Sequence, residues 1–392
     1  MGTSPGVPGR RTAAGGFRRR MTATDGPPLV GRHDELSELD RELVRVGTAG
    51  ARCVLITGEA GVGKTRLAQE LVGRHRRGVL GLSARAYPLG STDAFGLWAE
   101  AIERHLQDLD PAEVADVCGG YLDDLAVLFH SVAAARGQAP DHDPPRLRLL
   151  EGLVRITGKL ASRTPVVVVL DDVHLADASS WEALQHLVRN LDDRPLLVVA
   201  TARPVELSDH PSGSEVVLGL EQEGLLTRLP ITPLDLDATK VLIEKIIGEV
   251  PSPGLVQWIA ERARGNPLFV GGLVRALLEE KADLTAPRLR RLPETLTERV
   301  TTRLRLLDDS ARQTIELLAV VGRPVDWDEL VPLAGENPEE LESRLQTLLH
   351  VRLIREEEHG RELCYEVTHP LIQEAVYEAI GAGRRRHLHR LA

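Results

Sequence analysis

Cysteine is scarce in this chain, and that scarcity already excludes several classes of protein. Cys53, Cys118 and Cys364 are odd in number and far apart, so they offer neither a disulfide framework nor metal-ligand spacing. Cys53 lies in a β-prone run and reads as plain core, and a reducing, cytoplasmic setting fits. Long apolar runs are absent too. None approaches the ~18 residues that a membrane-spanning helix needs, so no membrane partner is expected. Residues 1–20 carry Gly, Pro and five arginines (Arg10, Arg11, Arg18, Arg19, Arg20) without an apolar stretch, which does not make a secretory signal. An Arg-rich, acid-poor segment also suits a transit peptide, but a disordered lead-in over residues 1–27 is the better reading, with Met21 a candidate true start. Arginine outnumbers lysine throughout, which points to genome composition rather than targeting. Excess positive charge is missing as well: of a formal net charge of −10, the first twenty residues contribute +5 and the remainder −15. An acidic body argues against a broad nucleic-acid surface, and no direct DNA binding is expected.

The chain does have enough apolar residues, 42%, for ordinary cores, and its 392 residues suggest two to four domains. Strand and helix patterns alternate from about Arg52 to Ile231. Strands are expected at Cys53–Thr57, Val79–Ala84, Val166–Asp171, Leu196–Thr201 and Arg228–Ile231, the βαβ signature of a parallel sheet. Residues 88–143 are largely helical and irregular, and end in "APDHDPP". From Asp235 the pattern becomes helical, at 237–247, 253–264, 268–280 and 294–306, with three more helices in 309–349. "VRLIREEEHGRELCYEV" then offers two alternating strands around a Glu-His-Gly turn, followed by a helix over Leu371–Ile380. No internal repeat of fixed period is found. The expected fold class is α/β: a parallel sheet flanked by helices (28–232), followed by a helical domain (233–306) and a winged-helix-like domain (307–383). Residues 384–392 read as the start of a truncated helix, with Leu388 and Leu391 lacking an identifiable partner and no terminal cap. The basic run Arg384–Arg386 suits either a phosphate contact or a solvated helix start, and the second is favoured.

The chemistry concentrates in "LITGEAGVGKTRLAQELV", residues 55–72. Gly58, Glu59, Ala60, Gly61, Val62, Gly63, Lys64 and Thr65 fit G-x-x-x-x-G-K-[ST] between a strand and an amphipathic helix, the context the motif requires. Glycines let the loop curl so that successive N–H groups converge on a phosphate, and the helix N-terminus adds its dipole. Lys64 is then expected on the β- and γ-phosphates and the Thr65 hydroxyl on Mg²⁺. A plain Gly-rich turn with an incidental lysine is the competing account. The nucleotide, ATP or ADP, is the expected ligand.

"PVVVVLDDVHLAD" supplies a second half. Five apolar residues, Val166 to Leu170, suit a strand buried on both faces, with Asp171 and Asp172 at its carboxyl end, where open α/β sheets bind ligands. Asp171 is expected to hold Mg²⁺ through water, and Asp172 to orient or deprotonate the attacking water. An Asp-Asp pair that caps the next turn is the alternative. His174 reads equally as a structural or an active histidine. After the strand in "PLLVVATARPVEL", Arg203 suits a γ-phosphate sensor or an ordinary surface arginine.

These passages together resemble the STAND branch of AAA-like P-loop ATPases, and within it the ATPase core of large LuxR-type bacterial transcriptional regulators. "LVGRHDEL" (29–36) is similar to a leading Gly-Arg motif, with Arg32, whose backbone lies against adenine. "GEAGVGKT" and "VVVVLDDVHLAD" resemble the two Walker motifs. "RGNPLFV" (264–270) is similar to a Gly-x-Pro motif in which Pro267 contacts base or ribose. "VTHPLIQEAVYEAI" (367–380) resembles a winged-helix motif whose histidine, here His369, meets the β-phosphate of ADP. Pro370 stands where relatives often have an acid, and Leu175 where they often have tryptophan. From the residues alone, "GNPL" is a helix-initiating turn with Pro267 near its first position, and His369 reads alternatively as a helix-start histidine that touches only protein.

The resemblance implies a slowly hydrolysing signalling switch of a transcriptional regulator, closed with ADP and open with ATP. Its partners would be a protein or a missing C-terminal repeat and helix-turn-helix region, with a nucleotide-dependent oligomer in view. A stand-alone ATPase that remodels a partner is the alternative, although no trans-acting arginine finger can be assigned. A DNA-binding winged helix ranks lower, since "DWDELVPLAGENPEELE" is strongly acidic where a reader needs basic residues.

Overall fold

The computed structural model describes residues 29–392 apart from 88–93, 138–142, 286, 290, 291, 293, 306, 336, 360 and 361. The lead-in read over 1–27, most of "APDHDPP" and Gly360 of the hairpin turn lie outside the described residues. The chain divides into two compact units, Met1–Thr232 and Pro233–Ala392.

In the first unit, β1 (Arg52–Thr57), β2 (Leu80–Arg85), β3 (Val166–Asp171), β4 (Leu196–Ala202) and β5 (Leu226–Pro230) form one parallel sheet in the order β2-β3-β4-β1-β5. The alternation of side chains along a strand explains how this sheet is covered on both faces. Val54, Ile56, Val167, Val169, Leu197 and Val199 point into one core, which α1 (His33–Ala49) and α2 (Lys64–His75) close with Leu39, Leu67 and Leu71. Cys53, Leu55, Val166, Val168, Leu170, Leu196 and Val198 point into the other. That second face is covered by α3 (Gly96–Leu106), α4 (Pro111–Cys118), α5 (Leu122–Leu125), α6 (His130–Arg136), α7 (Arg146–Ala161), α8 (Ala178–Asn190) and α10 (Pro211–Gln222), with the short α9 (Pro204–Ser208) after β4. Strands β1, β3 and β4 are buried along their whole length, which is why they read as unbroken apolar runs. Burial pushes the Cys53 thiol up to about 12, against a smaller opposing effect of Arg52. A thiol of that kind is core and not a nucleophile. Among the described residues no single helix is long and apolar enough to cross a membrane.

The edge strand differs from its sequence expectation. It runs Leu226–Pro230 rather than Arg228–Ile231, because only Leu226 and Leu229 are buried and Thr227 and Arg228 break the apolar run. At the amino end of the sheet, Arg52 and Glu42 form a buried ion pair (Nε to Oε2, 2.6 Å) that joins β1 to α1.

The second unit holds α11 (Leu236–Ile247), α12 (Pro253–Ala263), α13 (Pro267–Glu279) and α14 (Glu294–Leu304). It continues with α15 (Asp309–Val321), β6 (Val325–Asp326), α16 (Trp327–Ala334), α17 (Pro338–His350), β7 (Ile354–His359), β8 (Glu362–Val367), α18 (Pro370–Ala379) and α19 (Ala382–Leu391). Side chains of Asp235, Ser252, Asn266, Asp308, Asp326 and Asn337 each accept a backbone N–H at a helix start, which fixes where those helices begin. Three helices (α15–α17) and the antiparallel sheet β6-β8-β7 make the winged-helix-like part. Leu388 does find a partner: it is buried, and α19 packs on α15, where Arg384 pairs with Glu316 at 3.5 Å.

Candidate nucleotide-binding site

The site lies at the carboxyl edge of the parallel sheet, where β1, β3 and β4 end side by side. After Thr57 the chain turns sharply at Gly58, and a Cβ there would sit 2.6 Å from the Ile231 carbonyl oxygen, so only glycine fits. Gly63 has φ 108°, a backbone that side-chain-bearing residues rarely adopt, and from it α2 begins with the Leu67 N–H bonded to the Gly63 carbonyl. Glu59, Ala60 and Gly61 stay partly or fully exposed, while Val62 is buried and anchors the loop on the core. Lys64 is itself buried and donates to the carbonyls of Gly58 and Glu59, both at 2.8 Å. Burial first, and then the Arg203 guanidinium, push its ammonium down to about 8, against the pull of Asp172, Asp171 and Glu206.

Asp171 and Thr65 come from segments 106 residues apart, and the Thr65 hydroxyl donates to Asp171 Oδ1 at 2.7 Å. Thr201, at the end of β4, donates to the same oxygen at 2.6 Å and accepts the Asp172 N–H at 2.9 Å. A hydroxyl and a carboxylate held together in this way are oxygen donors of the kind that suits Mg²⁺, which takes one or two protein ligands and completes its shell with phosphate and water. Among the described residues no cluster of three or more His, Cys, Asp or Glu offers a metal cage, and this chemistry does not need one. Asp172 is left-handed at φ 57°, which turns its carboxylate away from the strand line, and its Oδ2 accepts from Arg85 Nη2 at 2.7 Å.

Arg85 is a residue that sequence reasoning missed. It closes β2 and stands opposite Asp171 in the β2–β3 register, a neighbour that only the strand pairing reveals. The sequence-based end of that strand, Ala84, stopped one residue short. Asp177, which closes the same motif, caps α8 through the Ser180 N–H at 2.8 Å and also accepts the Phe95 N–H at 3.2 Å. Its role is to join segments.

Arg203 is near enough for its charge to act on Lys64; it precedes α9, pairs with Glu206 at 3.0 Å, and has a buried Nε without a partner among the described residues. Arg32 serves the site from behind. Its buried guanidinium donates to the Val62 carbonyl at 3.3 Å and the Thr232 carbonyl at 2.5 Å and pairs with Glu35 at 3.0 Å, so the side chain braces the loop.

Pro267 and His369 belong to the second unit. Pro267 is the first residue of α13, behind the Asn266 cap. His369 is buried, with Nε2 3.2 Å from the Ala263 carbonyl, Nδ1 accepting the Leu371 N–H at 3.2 Å, and its ring 4.2 Å from that of Phe269. Both ring nitrogens therefore have protein partners, and the bonds require the neutral, Nε2-protonated form. Burial pushes this imidazole down to about 4, although the Ala263 carbonyl opposes the shift.

Residues 28–199 match the AAA ATPase domain. The chain is 26% identical to an uncharacterized protein of Rhizobium meliloti (strain 1021) across 93% of its own length, and spans 36% of the length of that relative. Among solved structures it is similar to a Walker-type ATPase of Pyrococcus abyssi, at 14% identity and a TM-score of 0.55, covering 89% of this chain and 96% of that one. A STAND protein with a tetratricopeptide repeat sensor from Pyrococcus horikoshii also matches, at 17% identity and a TM-score of 0.37, over 90% of this chain and 44% of that one. The first unit thus has the fold of P-loop ATPases, and residues 28–199 within it are those that match the AAA ATPase domain.

Proposed function

We propose that this chain is the nucleotide-driven switch module of a signalling regulator, binding ATP with Mg²⁺ and hydrolysing it slowly. The observation that carries the reading is the 2.7 Å bond between the Thr65 hydroxyl and Asp171, beside Lys64. P-loop backbone and the start of α2 receive the phosphates, and Lys64 exchanges its two loop carbonyls for phosphate oxygens. Thr65 and Asp171 would hold Mg²⁺, which when bound neutralises charge on the β- and γ-oxygens. Asp172 aligns the attacking water and accepts its proton, with Arg85 fixing the carboxylate's orientation. Arg203, whose charge already reaches Lys64, is suited to sense the γ-phosphate.

A switch also needs a part that responds. For that part a closed ADP state that opens with ATP is the reading: Pro267 starts α13, and His369 would have to give up its bond to the Ala263 carbonyl before it could meet a phosphate. A protein partner or a helical-repeat and helix-turn-helix region would receive the signal.

Two measurements test this. MgATP or MgADP at 100 times its dissociation constant adds about 2.7 kcal/mol of stability, a shift of several degrees in Tm, and Lys64→Ala removes most of it. An undiminished shift in that variant would overturn the nucleotide reading. Steady-state turnover is expected below roughly one per second and independent of protein concentration. Faster turnover, nearer the ~10 per second of a median enzyme, would favour a partner-remodelling ATPase.

A further inference from the structure

His174 sits on the short 173–175 turn between Asp172 and the Asp177 cap of α8, and β4 and α9 pack against that turn. The residue is 95% buried, yet neither Nδ1 nor Nε2 has a hydrogen-bond partner among the described residues. Buried polar groups are almost always paired, and one left unpaired calls for an explanation. Other histidines of this chain show the ordinary solution. His369 engages both ring nitrogens. So does His210, through the Ala176 carbonyl at 3.0 Å and the Gly213 N–H at 3.0 Å. His174 departs from that pattern among the described residues.

Its surroundings suggest what it is for. The charges that act on the ring are those of Arg203, Asp172, Glu206 and Lys64, and the first three also act on Lys64. His174 thus shares its electrostatic neighbourhood with the lysine of the phosphate loop. Those neighbours have partners of their own: Lys64 has two carbonyls, Asp172 has Arg85, and Arg203 has Glu206. An imidazole offers one donor and one acceptor when neutral, a combination that reads a phosphate oxygen without adding charge. Two cations and two carboxylates already balance there.

The geometry points to His174 as a residue that reads the terminal phosphate of a bound triphosphate, donating a ring N–H to a γ-phosphate oxygen directly or through one water. This deepens the nucleotide reading above and rests on it. ADP, which lacks that group, leaves the imidazole unengaged, so the residue discriminates between the two nucleotides. The turn that carries it links Asp172 to α8, so the contact is also placed to pass the state of the nucleotide to that helix.

The test compares His174→Gln with the parent, full chain in each case, using MgADP and a non-hydrolysable ATP analogue with Mg²⁺. The analogue is expected to lose about tenfold or more in affinity, the scale of one hydrogen bond to a charged group, while ADP affinity stays unchanged. Equal losses for both nucleotides, or no loss for either, would overturn the role. Lys64→Ala separates the two levels of the argument. If it retains nucleotide affinity, the nucleotide reading fails; if it abolishes binding while His174→Gln matches the parent, only the role of His174 fails. Should the variant not fold, parent protein labelled with ¹⁵N-histidine decides the matter. The His174 ring nitrogens are expected to shift with the analogue and not with ADP, and an identical response to both, or to neither, would sink the proposal.

Discussion

Asp171 Oδ1 takes two hydroxyl protons at once, from Thr65 and Thr201, and Asp172 takes a guanidinium. Two adjacent carboxylates with such different partners are expected to fail differently. Asp171→Asn should weaken Mg²⁺-dependent nucleotide binding and hydrolysis together. Asp172→Asn should spare binding and cut turnover by about 10²–10⁴-fold, the range of general-base assistance. Titration calorimetry beside a phosphate-release assay measures both, and parental turnover in Asp172→Asn would move the base elsewhere. Residues of this kind were legible in the sequence because a P-loop and an acid-ended apolar strand are local patterns. Arg85 was not, because its partner is set by strand register, and a His174 ring without a partner among the described residues shows only in three dimensions.

Helices and strands follow the sequence where burial is uniform and drift where it is not. Strands β1, β3 and β4 lie under helices on both faces and were readable to within a residue or two, whereas β5, with Thr227 and Arg228 inside it, was displaced. The second unit's helices start at Asp, Ser and Asn caps that the sequence reading did not single out, whereas for His369 a helix-start histidine touching only protein was the alternative, and the structure has it as a cap. His369 caps α18 with Nδ1, so protonation there removes the acceptor that the Leu371 N–H needs. Its folded pKa, about 4, lies below the ordinary 6.5, so the unfolded chain binds the extra proton first. Stability from this group is therefore whole above about pH 6.5 and falls as pH drops toward 4. Tm should decline from pH 7 to pH 5, and His369→Asn, which can cap without titrating, should decline less. An unchanged slope in that variant would remove His369 as the cause. The buried pair between α1 and β1 makes a second prediction at this scale. Glu42→Ala leaves Arg52 charged and unpaired, a loss of about 3–5 kcal/mol that urea denaturation would register. A loss near zero would mean that water reaches Arg52.

For the whole molecule, net charge bears on what it is expected to bind. The helix α17, which precedes the β7–β8 hairpin, carries Glu339 and Glu340 in its first turn, on a chain of net charge −10. Sequence-specific DNA binding in the nanomolar range is therefore not expected of this chain at physiological salt, and a gel-shift titration would detect it if present. Temperature is the other whole-molecule variable, and the Arg52–Glu42 pair bears on it. Hydration of ions becomes less favourable on heating, so the cost of keeping this pair dry shrinks as the protein warms. Replacing both partners by apolar residues of similar volume (Glu42→Leu with Arg52→Met) should therefore help most in the cold and progressively less towards the melting point. The native pair acts as a thermal ballast, giving up some stability at low temperature for a flatter decline at high temperature.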